Sequence, residues 1–120
     1  MTPDVADWAR KAKVTHKIQL KAAQEVTEGL VDANHRFGLY KKRVAINSGQ
    51  GKRGGGRTLV AWNDGQRVVF LYGFKKNQQA SVPRRALEPY REAARFFNKL
   101  SDEEMETTVK EGGLIKIKNG

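Results

Sequence analysis

The chain has 120 residues, with 23 Lys or Arg, 13 Asp or Glu and no Cys, and its formal net charge is +10. A length of this order suits one modest core, so we predict a single domain over residues 1–120. Without cysteine, a disulfide framework, a thiolate zinc site and a cysteine nucleophile are excluded. The two histidines stand far apart in the sequence, so we expect no metal and no other cofactor. No apolar run reaches membrane-spanning length and the first residues are acidic, so we expect a soluble, cytoplasmic protein without a membrane partner.

Two short helices are predicted at the start of the chain. The first opens near Asp4, and its apolar face consists of Val5, Trp8, Ala9 and Ala12. Thr15 can cap the second helix and Gly29 is a natural stop. The apolar face of this second helix consists of Ile18, Ala22 and Val26. Together the two helices form an αα-hairpin.

Three strands are predicted next, because the sequence becomes rich in β-branched and aromatic residues. They span Leu39 to Ile46, Arg57 to Trp62 and Arg67 to Phe74. Asp64-Gly65 joins the last two, and Asp-Gly favours a tight hairpin with both residues at positive φ. We therefore expect an antiparallel meander, with the apolar run Val68 to Tyr72 marking the third strand as central.

The rest of the chain predicts two helices and an edge strand. A helix begins near Glu88, since Pro89 is tolerated only in a first turn. Ser101 to Glu104 is a capping box for a short acidic helix that ends near Lys110. Leu114 to Lys118 alternates as a short edge strand. The fold class is α+β, with helices on one face of a small antiparallel sheet.

The excess positive charge lies in the middle of the chain. Residues 33–87 contain twelve basic side chains and one acidic side chain, whereas the two flanks together are nearly neutral. Self-repulsion in such a block costs stability, so a polyanion or an acidic protein is expected to offset it. Nucleic acid is the first candidate, because neutralised phosphates release counterions. A solvated basic face with a role only in solubility is the alternative.

The first predicted strand presents two cations on one face. Its period of two places Lys41 and Arg43 together. The opposite face holds Tyr40, Lys42, Val44 and Ile46. Two cations on one sheet face could clamp a phosphate or stabilise charge that develops on it. Protection of an edge strand against aggregation is the alternative.

Further cations lie around the other strands. The segment from Gly51 to Arg57 lacks the Ser or Thr and the following helix of a nucleotide-binding loop, but Lys52 and Arg53 could track a nucleic-acid backbone. A loop with incidental charge is the alternative. Arg57 is fixed at the start of a strand beside the basic strand. Gly73 permits close approach of another backbone. Donors cluster after it at Lys75, Lys76 and Asn77.

The middle of the chain lacks the carboxylates that many hydrolases need. Asp64 is its one acidic residue, at a hairpin tip, so glycosidase, protease-triad and two-metal nuclease chemistry are poorly supported. Cations without metal suit the cleavage of RNA, whose own 2′-OH can attack the neighbouring phosphate.

A family resemblance rests on motifs that occur in order between about residues 5 and 116. They are GLVDA, LYKKRVA, GQGKRGGGRTLVAW, FLYGFKKN and a closing helix with LSDEEM. This succession resembles the RelE-like toxins of bacterial type II toxin–antitoxin systems, and within them the HigB-type branch. The resemblance implies a microbial-ribonuclease-like sheet, ribosome-dependent cleavage of mRNA and inhibition by a cognate antitoxin.

The resemblance also implies roles for particular residues. Lys41 and Arg43 match the basic positions of the first catalytic strand, Arg57 matches the arginine of the GGxR motif, and Lys75 or Lys76 matches the basic residue after the last core strand. We take Lys41, Arg43, Arg57 and Lys76 as catalytic. The expected RNA contacts are Lys42, Lys52, Arg53, Lys75 and Asn77.

The chain departs from the family pattern in three places. A first strand before the opening helix is missing, and Pro89 falls within a helix that relatives continue unbroken. The tyrosine expected beyond the last basic position is absent, so Tyr40 or Tyr72 would have to replace it as general base. Two other functions stay open: a gyrase-inhibiting toxin of the same fold, and a non-catalytic nucleic-acid-binding module.

Overall fold

The computed structural model describes residues 1–46, 55–77, 79 and 81–118. The described helices are α1 (Pro3–Ala12), α2 (His16–Thr27), a short 3-10 turn (Arg84–Ala86), α3 (Glu88–Lys99) and α4 (Asp102–Lys110). The described strands are β1 (Ala33–Asn34), β2 (Leu39–Val44), β3 (Gly56–Trp62) and β4 (Val68–Lys75). No helix in these ranges is both long and apolar enough to cross a membrane.

Side-chain caps set the beginnings of three helices. Thr2 Oγ1 accepts a hydrogen bond from the Val5 amide at 3.3 Å, so α1 begins one residue before the predicted Asp4. Thr15 caps α2 as predicted. The capping box is also confirmed, because Ser101 and Glu104 each accept a hydrogen bond from the other's amide, at 3.0 and 2.9 Å.

The strands form one antiparallel sheet in the order β1-β2-β3-β4. The predicted meander of β2, β3 and β4 is confirmed, and β1 is an addition, since two residues are too few for a visible alternation. The hairpin between β3 and β4 is longer than predicted: Trp62 pairs with Val68, and Asp64 has positive φ but Gly65 does not. Trp62 Nε1 donates to the Gly65 carbonyl at 2.8 Å, and this bond shapes the wider loop.

Two sequence predictions about strands are wrong. The strand predicted to be central is β4, and helices do cover both of its faces, but it lies at the sheet edge. The interior strand is β3, whose seven residues are all buried. The apolar run of β4 arises because helices cover both of its faces and the Thr2 amide donates to the Phe70 carbonyl at 3.1 Å. Residues 114–118 are not a strand. The free edge of β4 is already hydrogen-bonded to Thr2 at the start of the chain, and the Ile115 amide donates to the Met1 carbonyl instead.

Helices cover both faces of the sheet, rather than the one face predicted, and each face has its own core. On the face covered by α1 and α2, which we call the hairpin face, the sheet contributes Val44, Val60, Trp62 and Phe70. On the face covered by α3, which we call the α3 face, the sheet contributes Leu39, Leu59, Ala61, Val69 and Leu71. Because each face of the sheet packs against its own core, the face on which each strand side chain lies is fixed.

Candidate active site

Two rows of side chains cross the sheet on the α3 face. Strand pairing places Lys41 opposite Leu59, and Leu59 opposite Tyr72. The next row is Arg43, Arg57 and Phe74, again in direct register. Residues in register on adjacent strands share a face, so the sheet brings Lys41, Arg43 and Arg57 together with two aromatic rings.

Arg43 and Arg57 form the most unusual feature of this face, because two like charges are directly opposed. Arg43 is exposed, whereas the residue Arg57 is only 4% exposed. Asp32 pairs with Arg43. Its carboxylate accepts a hydrogen bond from the Arg43 amide at 2.7 Å and lies 3.6 Å from Arg43 Nε. Among the described residues no carboxylate forms an ion pair with Arg57, which donates to the Gly56 carbonyl at 3.2 Å.

The electrostatics of Arg57 follow from this arrangement. Burial lowers the pKa of its guanidinium, the charge of Arg43 lowers it further, and Asp32 offsets part of the effect. An arginine keeps its proton under such a shift, so the result is a buried cation that an incoming anion would stabilise.

Lys41, in the other row, pairs with Ala33 of β1, two residues before His35. Burial lowers the pKa of the His35 imidazole, and the charges of Lys41 and Arg91 lower it further. The His35 backbone is fixed by α3, since Arg91 Nε donates to its carbonyl at 2.7 Å. His35 is also held against β2, because its amide donates to the Leu39 carbonyl at 2.8 Å.

Tyr72 ends the first row and is held on two sides. Its hydroxyl donates to Gln79 Oε1 at 3.2 Å, and its ring centre lies 5.3 Å from that of Tyr90 in α3. Burial raises the pKa of the Tyr90 phenol, and Tyr72 and Asp4 add to that effect. Tyr40 instead faces the hairpin side, where its ring lies 5.4 Å from that of Trp62. Of the two tyrosines considered as a general base, only Tyr72 lies on the face with the cations.

Sequence reasoning missed Tyr90. Helical spacing puts Tyr90 on the apolar face of α3, and it does line that core. Only the packing of α3 on β4 brings its ring against Tyr72. The one signal in the sequence was a hydroxyl-bearing aromatic among otherwise purely apolar core positions of that helix.

Lys42 lies on the opposite face from Lys41, as the alternation predicts. It is buried, its Nζ donates to the Leu30 carbonyl at 2.8 Å, and it pairs with Glu25 at 3.1 Å. Lys42 thus ties β2 to the end of α2, and the structure does not place it beside the other cations.

The cations after β4 are divided between two locations. Lys75 follows Phe74 on the strand and so points to the hairpin face, where it is half-buried. Lys76 and Asn77 are exposed beyond the strand, and the Lys76 amide donates to the Gly55 carbonyl at 3.2 Å. That bond holds Lys76 at the same end of the sheet as Arg57. Lys52 and Arg53 lie outside the described residues.

Metal ligands are not grouped in the part of the chain that the structure describes: no cluster of three or more His, Asp or Glu there could hold an ion.

The comparisons with known proteins give a family for the chain. A family model described as the RelE toxin of the RelE/RelB toxin–antitoxin system matches residues 2–117. The protein is therefore a toxin of a toxin–antitoxin system. The chain belongs to the RelE toxin family, as its motifs predicted, and a cognate antitoxin is its partner. No curated protein and no solved structure gives a significant match.

Proposed function

We propose that this toxin is a ribosome-dependent endoribonuclease that cleaves mRNA by attack of the RNA's own 2′-OH. The observation that carries the proposal is the directly opposed pair of Arg43 and Arg57, of which Arg57 is buried. Like charges placed in register destabilise a sheet, so the arrangement favours a bound anion that neutralises them. A phosphodiester in a cleavage transition state carries the required extra negative charge.

The proposed reaction breaks one bond to phosphorus and forms another. The substrate's 2′ oxygen bonds to the adjacent phosphorus while the bond from phosphorus to the 5′ oxygen breaks. The products are a 2′,3′-cyclic phosphate and a 5′-OH. The proton from the 2′-OH leaves to a base, and the 5′ oxygen gains a proton.

The side chains divide these tasks by position. Arg43 and Arg57 stabilise the non-bridging phosphate oxygens as charge develops there. Lys41 and Tyr72 lie at the two ends of one row, about 10 Å apart at Cα, since neighbouring strands are about 4.8 Å apart. Two long side chains can close on one phosphodiester across that span, with Tyr72 receiving the 2′-OH proton and Lys41 holding the phosphate. Lys76, beyond the end of β4, is placed to assist the leaving oxygen.

The ribosome would hold and orient the mRNA against the cationic face. The resemblance to the family implies cleavage in the A site, and the excess of positive charge in residues 33–87 suits ribosomal RNA as well as the mRNA. The ribosome would present the mRNA in one extended conformation, so that the 2′-OH is aligned with the scissile bond.

The test is mRNA cleavage on paused ribosomes with purified variants. Lys41→Ala and Arg57→Ala should each lower the cleavage rate by about 100-fold or more, the usual loss for one electrostatic donor. Lys99→Ala, an exposed cation at the end of α3, is the matched control and should cleave normally. Full activity in folded Lys41→Ala and Arg57→Ala variants would remove both residues from the mechanism. Binding without cleavage by the wild type would indicate a non-catalytic module, and inhibition of DNA supercoiling instead would indicate a gyrase toxin.

A further inference from the structure

The turn between β1 and β2 has an unusual backbone. Arg36, Phe37 and Gly38 have φ of +71°, +58° and +79° in succession. Gly38 accepts this at no steric cost, but two successive side-chain-bearing residues in the left-handed region are unfavourable. Such a conformation persists only where the surroundings hold it.

Helix α3 holds this turn along one stripe. Arg91 Nε donates to the His35 carbonyl at 2.7 Å, and the Arg95 guanidinium lies 4.6 Å from the centre of the Phe37 ring. Asn98, one turn further on, fills the space beside Gly38, where an added Cβ would collide with the Asn98 amide. These helix positions are i, i+4 and i+7, so they share one face of α3.

The Phe37 side chain of this turn does not pack into either core. Phe37 is 58% exposed although it is large and apolar. Its partner Arg95 is itself fixed, because its guanidinium donates to Glu88 Oε1 at 3.1 Å. The Phe37 ring is thus largely exposed to solvent, and its residue has an unfavourable positive φ. The Arg95 guanidinium covers part of the ring.

The turn leads directly into the cationic face. Phe37 is four residues before Lys41, so their Cα atoms are no more than about 14 Å apart, since an extended chain rises about 3.4 Å per residue. Exposed Arg36, the residue before Phe37, and half-buried Arg91, which donates to the His35 carbonyl, add two more positive charges at this turn. A ligand that meets this surface together with the opposed arginines must combine negative charge with a flat apolar group.

We propose that Phe37 and Arg95 form a stacking platform for one unpaired base of the RNA that occupies the cationic face. The inference rests on the proposed function, and it adds a contact that positions the RNA strand along the cationic face. Unpaired bases stack on aromatic rings and on arginine planes, and the positive charge of Arg95 favours the neighbouring phosphates. An RNA strand supplies both the flat bases and the charge that this surface fits.

The test uses ribosomes programmed with mRNA that carries the fluorescent base 2-aminopurine at successive positions around the A-site codon. A 2′-O-methyl group at the cleavage position blocks the reaction. The wild-type toxin should quench the fluorescence at one position. Phe37→Leu should abolish that quench and weaken binding about tenfold, a typical effect of losing one stacked base, whereas Phe37→Trp should keep both.

The matched control is Phe96→Leu. Phe96 is also 58% exposed, but it lies outside the stripe that holds the turn, so its replacement should leave the quench unchanged. Thermal melting of each variant checks that it is folded, and Arg95→Gln, which leaves Phe37 in place, should reduce the quench partially.

Several results would overturn the platform. They are no quench at any position with wild type, an unchanged quench with Phe37→Leu, or an equal loss with Phe96→Leu. Unchanged quench together with weaker antitoxin binding in Phe37→Leu would assign the ring to the antitoxin. Because the blocked mRNA reports stacking without cleavage, the two proposals fail separately. Cleavage of unblocked mRNA without any quench overturns only the platform, and a quench without cleavage overturns only the nuclease.

Discussion

The indole of Trp8 in α1 occupies the space that a side chain at Gly73 in β4 would need. A Cβ added at position 73 would come closer to the ring carbons of Trp8 than real Cβ contacts ever do. The same ring also lies over Gly56 on the neighbouring strand. The sequence suggested that Gly73 permits approach of another backbone, but the group that approaches is a side chain. These two glycines let α1 pack flat on the hairpin face, directly behind the row of Arg43 and Arg57.

We expect Gly73→Ala to lower the free energy of unfolding by about 1–3 kcal/mol, because the added methyl overpacks a filled site. Urea denaturation measures the change. Gly65→Ala is the matched control, since its added Cβ meets no atom closer than 3.9 Å. If Gly73→Ala is as stable as Gly65→Ala, the contact with Trp8 does not constrain the sheet.

Lys41 and Lys42 are adjacent in sequence, but we expect opposite results from their replacement. Lys42→Ala should lower stability by roughly 1–3 kcal/mol, because it leaves Glu25 and the Leu30 carbonyl without their partner. Its cleavage rate per folded molecule should stay within a few-fold of wild type. Lys41→Ala should leave the free energy of unfolding nearly unchanged and lower the cleavage rate. Urea denaturation and the ribosome cleavage assay on both variants measure this, and a catalytic defect in folded Lys42→Ala would return Lys42 to the RNA-binding surface.

Local features of the fold were predictable from the sequence, and long-range ones were not. The capping box at Ser101 and the alternation that separates Lys41 from Lys42 depend only on neighbouring residues, and both are confirmed. That β3 rather than β4 is central depends on what covers each face and edge, which a hydrophobic run does not reveal. Likewise, Tyr90 meets Tyr72 only through the docking of α3 on the sheet.

The pKa of His35 provides a spectroscopic measure of the field around Lys41. Because burial, Lys41 and Arg91 all lower this pKa, an NMR titration should place it below the ordinary value of 6.5. Lys41→Met should raise it toward that value. An unchanged His35 titration in Lys41→Met would mean that the two side chains do not lie close together.

The same shift fixes the sign of a pH effect on stability. The unfolded chain binds the His35 proton more readily than the folded chain, so stability is present above pH 6.5 and falls as the pH drops below it. His35→Gln should make urea denaturation less dependent on pH between about 5 and 7. An equal dependence in the variant would assign the effect to other groups.

The cognate antitoxin has two ways to inhibit this toxin: it can cover the cations or displace α3 from the sheet. We expect the first, with acidic residues laid against Lys41, Arg43 and Arg57. Association should then be fast and should slow steeply between about 50 and 500 mM salt, as steered encounters do. Stopped-flow association rates measure this dependence. A flat salt profile, with affinity that depends on the apolar side of α3, would favour displacement instead.

The most direct test of the proposed chemistry is cleavage of mRNA that has a single 2′-deoxy nucleotide at the cleavage position in the ribosomal A site. Without the 2′-OH there is no internal nucleophile, so wild-type toxin should leave this mRNA intact while cutting the all-ribose mRNA. The all-ribose mRNA should yield fragments with a 2′,3′-cyclic phosphate and a 5′-OH. Cleavage of the deoxy-substituted mRNA at the same position, or a 5′-phosphate on the products, would contradict 2′-OH attack.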